Sequence, residues 1–125
     1  IRYFARRLQE ETLTATTDAM ALTVVMGVLF VGHLFQFATW ALLFLWLGEF
    51  GDFATAFYHS TVNFTSLGYG DIVMSETRRL LGALEAANGV LMFGLSAGTI
   101  LSVMNVLFRR RKKFATIQEK LGQST

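Results

Sequence analysis

The seven residues Thr65-Ser66-Leu67-Gly68-Tyr69-Gly70-Asp71 place two glycines around a tyrosine in a short polar segment between two apolar stretches. Glycine has no Cβ and enters backbone regions closed to other residues, so this backbone can turn its carbonyl oxygens onto a ligand. A cation gives up its water only when other oxygens replace it, and a ring of backbone carbonyls does this without placing full charges in the path. The segment therefore reads as an ion filter. One loop cannot close a ring, and the reading requires several copies of the chain converging on an axis as a homo-oligomer.

Other chemistries find less support. The chain has no cysteine, which removes a disulfide framework, a thiolate zinc site and a thiol nucleophile. No metal-ligand cluster, no nucleophile beside a base and no carboxylate pair occurs at a supportive spacing, so no enzyme and no cofactor is expected. A phosphate cradle would need glycine where Val73 stands, and a strand before it.

The elements that must position the heptad follow from composition. Of 125 residues, 53% are hydrophobic and twelve are phenylalanine, which indicates a membrane protein rather than a soluble globule. Residues 1–18 form a charged opening. Ile1, Phe4, Ala5 and Leu8 recur at helical spacing opposite Arg2, Arg6, Arg7, Glu10 and Glu11, which suits an interfacial helix as well as it suits a solvated segment. Thr17 or Asp18 is then an expected N-cap. The uncharged run 19–47 is expected to be an outer transmembrane helix, retained and not cleaved; as a helix it would extend about 43 Å and would tilt or protrude in a core of about 30 Å. Within it, His33 suits a bond to a neighbouring helix or a wet crevice better than proton sensing.

Residues 48–79 interrupt the pattern. Gly48, Gly51 and Asp52 announce a turn, with Asp52 placed to cap a helix over Phe53 to Phe64 that is too short to cross a bilayer. That helix runs directly into the heptad, and non-helical backbone at membrane depth is tolerated only inside protein or beside water. Residues 80–108 make a second span and 109–125 a basic tail that can extend it. Arg109, Arg110, Arg111, Lys112 and Lys113 put positive charge at one end, while Glu49, Asp52, Asp71 and Glu76 lie between the spans. The positive-inside rule then assigns both termini to the cytoplasm and the loop to the outside of a multi-pass plasma or inner membrane protein. The five basic residues also suit anionic lipid headgroups.

On the second span, Glu85, Asn88, Gly89, Met92, Ser96, Thr99 and Val103 recur mostly at steps of three and four. Such a face can line an aqueous vestibule or form a helix contact. Glu85 is expected behind the loop, bonding the short helix rather than an ion. Gly94 and Gly98 form a G-x-x-x-G pair that is expected to pack against the first span rather than to hinge.

Together, the short helix, the heptad and the flanking spans closely resemble the pore module of potassium channels of the small prokaryotic type: outer helix, pore helix, T-x-G-Y-G-D signature and inner helix. The resemblance implies an all-α homotetramer around a central pore, conducting potassium passively. The carbonyl mechanism belongs to that family and is carried over to this chain. Matched residue by residue, the ion-coordinating carbonyls fall on Ser66, Leu67, Gly68 and Tyr69, and a side-chain hydroxyl comes from Ser66. Thr65, Gly70, Asp71, Tyr58, His59 and Glu85 would support the filter. Gly89 falls near the family's inner-helix hinge, and Leu101, Met104, Asn105 and Phe108 are candidates for the cytoplasmic constriction.

The sequence departs from the family pattern at three positions. Ser66 and Leu67 replace the commoner threonine and valine, which keeps the carbonyls and moves branching away from Cβ. Val62 stands where many members have a glutamate, so Asp71 needs another partner, such as Tyr58, His59, an arginine or water. These departures keep open a weakly selective cation channel, and a non-conducting scaffold of the same fold is a third reading. Nothing in the sequence supports gating by a voltage sensor or a fused ligand domain.

Overall fold

A computed structural model describes the backbone of residues 2–122 and the side chains of residues 14–117. The chain folds as α1 (Arg2–Trp46), α2 (Phe53–Phe64) and α3 (Arg79–Gly122), with no strand among the described residues. This is the long, short, long all-α order expected of the sequence. Thr14–Trp46 and Arg79–Ile117 are each long and apolar enough to cross a membrane. Their large apolar side chains stay exposed, among them Val24, Phe35, Leu42, Leu84, Leu91 and Leu95. Helices that bury so little of an apolar surface within their own chain require lipid or further protein around them.

The expected N-cap at Thr17 or Asp18 does not form, because α1 continues without a break through both residues. Neither glycine nor proline occurs before Gly27, so no backbone signal stops the helix there. The Asp18 carboxylate instead accepts from Arg111 Nε at 2.5 Å. The expected amphipathic pattern of Ile1 to Glu11 falls on side chains outside the described residues. At the other end, α3 runs on to Gly122, so the basic tail extends the second helix.

The contacts divide the chain into two compact units, Val28–Ala97 and a second built from Ile1–Gly27 with Gly98–Thr125. In the first, a small aromatic core forms where α1 meets α2. Phe37, Ala41 and Phe44 of α1 and Ala56 and Phe64 of α2 are buried, and the Phe44 ring meets His59 of α2. Phe37 and Phe64 meet edge to face at 5.1 Å, a geometry that places a positive ring edge on a negative ring face. His33 is buried beside Phe93 and shares a 3.1 Å hydrogen bond with Ser96 Oγ, so it joins a neighbouring helix as expected. In the second unit, Asp18 and Arg111 pair, and Asn105, Phe108, Arg109, Arg111 and Lys112 line a shallow groove of about 420 Å³.

The polar stripe of α3 is covered at its start and open at Thr99. Glu85 and Gly89 are buried, while Asn88, Met92 and Ser96 are half-buried. In the Val28–Ala97 unit Glu85 bonds Ser60 and Asn63 of α2 and Ser96 bonds His33 of α1, so this part of the face is a helix contact. The G-x-x-x-G expectation is overturned: a Cβ built on Gly94 or Gly98 meets nothing within 4 Å, so neither packs closely against the first span.

Candidate functional site

α2 presents the heptad. At its start Asp52 has the expected extended backbone, and its carboxylate accepts from Thr55 N at 2.9 Å and Thr55 Oγ1 at 2.7 Å. The bond from the Thr55 amide, then that from its hydroxyl, hold the Asp52 carboxyl below its usual range. One of the unpaired amides of the first turn is thereby met, and α2 begins where the sequence places it.

The end of α2 forms the first part of the loop. Ser66 N donates to Asn63 O at 2.9 Å and Leu67 N donates to Val62 O at 3.0 Å, the paired bonds of a Schellman motif. That motif needs a left-handed residue just past the cap, usually glycine. Here Ser66 takes it, with φ 58°. A residue with a Cβ costs about 1–2 kcal/mol in that region, so the surrounding bonds must hold it there. Gly68 and Gly70 are also left-handed, with φ 61° and 72°, so positive φ recurs at alternate residues along the heptad.

This backbone has a directional consequence. Gly68 N also donates to Val62 O, at 3.3 Å, so three successive amides point back at the last turn of α2. In a trans peptide the carbonyl of the preceding residue points opposite to the amide. The carbonyls of Thr65, Ser66 and Leu67 therefore point away from α2. Thr65 itself is tied inward, its hydroxyl donating to Thr61 O at 2.7 Å.

Side chains of α2 brace the loop from two directions. On the buried side, Glu85 of α3 is fully covered. Ser60 Oγ donates to its Oε1, and Asn63 Nδ2 donates to its Oε2 at 2.7 Å. Asn63 Nδ2 also donates to Gly82 O at 2.7 Å. One helical turn along α3, Gly89 lies so close that an added Cβ would sit 1.9 Å from Phe64 O. Gly89 is thus a point of close contact with the last residue of α2.

On the exposed side, Tyr58 Oη donates to Asp71 Oδ2 at 2.7 Å, the first of the partners expected for Asp71. That hydroxyl is the main cause holding the Asp71 carboxyl below its usual range. His59 is buried, and its Nδ1–H donates to Ile72 O at 3.0 Å, just beyond the heptad. Glu49 accepts from Ser75 N at 2.9 Å, from Ser75 Oγ at 2.7 Å and from Arg78 Nη1 at 3.0 Å. Arg78 also donates to Leu47 O, closing the end of α1. The Ser75 amide and hydroxyl, followed by Arg78, hold the Glu49 carboxyl low. Behind the loop lies a cleft of about 480 Å³ lined by His59, Asn63, Gly68, Gly70, Met74 and Gly82 among others.

The Val28–Ala97 unit thus brings together Thr65, Ser66, Leu67, Gly68, Tyr69, Gly70, Asp71, Tyr58, His59, Glu85 and Gly89. Gly94 belongs to it without a close contact. Gly98, Leu101, Met104, Phe108 and the basic residues 109–113 belong to the other unit. Sequence reasoning missed Ser60, Asn63 and Arg78. The first two carried a signal, since polar residues three apart on α2 share the face that meets Glu85.

Residues 23–106 match a protein family described as ion channel. No curated protein and no solved structure matches the chain.

Proposed function

The chain belongs to this ion-channel family, and from that premise we propose a passive, potassium-selective channel in which four copies surround one pore. The carbonyls of Ser66, Leu67, Gly68 and Tyr69 replace the water of the permeating ion, and the Ser66 hydroxyl adds an oxygen at the inner end. Potassium is the permeant ligand, and conduction takes no cofactor and no catalysis. The observation that carries this reading is the bonding of the Ser66, Leu67 and Gly68 amides back to α2, which turns the first two of these carbonyls, those of Ser66 and Leu67, away from α2. The C-terminal end of the α2 dipole also favours a cation beside it. Thr65, Gly70, Asp71, Tyr58, His59 and Glu85 hold the filter backbone.

The basic residues Arg109, Arg110, Arg111, Lys112 and Lys113 put both termini on the cytoplasmic side and meet anionic headgroups, each charge contributing about 1 kcal/mol near the surface. Gly89, Gly94, Gly98, Leu101, Met104 and Phe108 lie along the helix that must move or narrow for the pore to close. A weakly selective cation channel is the second reading, favoured by Ser66, which keeps the hydroxyl without a methyl, and by the exposed side chain of Leu67. Reversal potentials of the reconstituted tetramer with potassium on one side and sodium on the other separate the two. A potential that follows the potassium gradient supports the first reading, and one insensitive to exchange of the ions supports the second.

A further inference from the structure

Asn63 occupies a place that the support of the loop does not by itself explain. Its backbone carbonyl accepts the amide of Ser66, the left-handed residue that opens the filter. Its side chain reaches the opposite way, donating both amide hydrogens to α3, one to Glu85 Oε2 and one to Gly82 O. The carboxamide orientation is fixed because both acceptors lie in place, each at 2.7 Å. Glu85 is in turn held by Ser60, so each of its two oxygens has one donor from α2. Among the described residues no ion pair involves Glu85, and the donors to its two oxygens are these two neutral side chains. Space is tight as well, since a Cβ on Gly82 would come within 3.4 Å of Asn63 Nδ2.

We propose that Asn63 is a positioning residue for selectivity, a clamp through which the first turns of α3 set the backbone geometry of Ser66. The strained φ of Ser66 persists only while the bonds around it over-determine the turn. Val62 supplies the other carbonyl of that turn, but its apolar side chain cannot be bolted to α3 by a hydrogen bond. Asn63 alone in the last turn of α2 has one end on the filter and the other on α3. A displacement of α3 at Gly82 and Glu85 is therefore delivered to the first carbonyls of the filter. The inference rests on the potassium-channel reading of the loop.

The test is the potassium-to-sodium permeability ratio of reconstituted tetramers, read beside tetramer yield. Asn63→Leu leaves Glu85 Oε2 without its donor, while Gly82 O keeps its helical amide, and is expected to lower the ratio about tenfold, the equivalent of one lost buried bond. Asn63→Asp sets an acceptor against acceptors and is expected to lower it at least as far. In the double variant Asn63→Asp with Glu85→Gln, the new amide donates back to residue 63, and most of the ratio returns. A merely structural role would lower yield without this recovery of selectivity. Where Asn63→Leu does not assemble, the milder Ser60→Ala loosens Glu85 and is expected to lower the ratio about threefold. Wild-type ratios in assembled Asn63→Leu or Ser60→Ala tetramers overturn the clamp. A wild-type tetramer that passes no cation fails the channel reading instead, so the two failures are distinct.

Discussion

Two carboxylates are held by side chains of α2, and their surroundings differ. Glu85 is completely covered and receives one donor on each oxygen, from Ser60 and Asn63. Asp71 is exposed at the other end of the heptad and receives the Tyr58 hydroxyl. A buried group that loses its partner pays the full cost of desolvation, whereas an exposed one turns to water. The buried brace therefore carries the larger share of the loop's stability, and the exposed brace holds its outer end.

The largest break in this comparison comes from the buried side. Gly89→Ala would place a Cβ 1.9 Å from Phe64 O, a clash with backbone that no rotamer relieves. It is expected to cost about 3 kcal/mol or more and to abolish assembled protein, as checked by oligomer yield in detergent. Glu85→Ala comes next. It strands the Ser60 hydroxyl and one Asn63 hydrogen in a covered site and is expected to cost about 2–4 kcal/mol in a thermal or denaturant midpoint.

Tyr58→Phe sharpens the comparison from the exposed side. In the folded chain the Asp71 carboxyl is depressed, so its contribution is present above the ordinary value of 3.8 and is lost as pH falls through the lower folded value. Removing the hydroxyl is expected to lower stability slightly at neutral pH and to leave it unchanged below the folded value, so that the acid-side loss shrinks, as followed by an acid titration of oligomer stability. Arg111→Ala is the smallest expected effect. The pair with Asp18 is short, but the Arg111 side chain is 45% exposed, so its loss is expected to cost about 0.5 kcal/mol or less and to vanish at high salt.

Much of this arrangement is legible in the sequence. Asp52 before an aromatic run predicts the start of α2, and the glycines that follow Phe64 predict its end. Glu85 in an apolar span has to find protein donors, and Asp71 without a pore-helix glutamate has to find Tyr58 or a substitute. What stays hidden depends on direction rather than on residue type. A polar stripe on α3 is the same pattern whether it meets water or Ser60 and Asn63, and only packing chooses. Gly94 and Gly98 have the spacing of a tight contact, yet among the described residues a Cβ on either meets nothing within 4 Å. The left-handed Ser66 is invisible because serine does not favour that conformation; the bonds of the Schellman turn impose it.

The comparison of buried and exposed braces matters only if the loop between them conducts. Gly68 has φ 61°, and a Cβ there would meet only Ser66 O at 3.9 Å, so Gly68→Ala strains the filter backbone without crowding its neighbours. Potassium efflux from liposomes containing assembled wild-type and Gly68→Ala oligomers tests the account most directly. Efflux is expected from the wild type, with its loss in the variant at equal oligomer content. Equal efflux from both, or none from correctly assembled wild type, would contradict it.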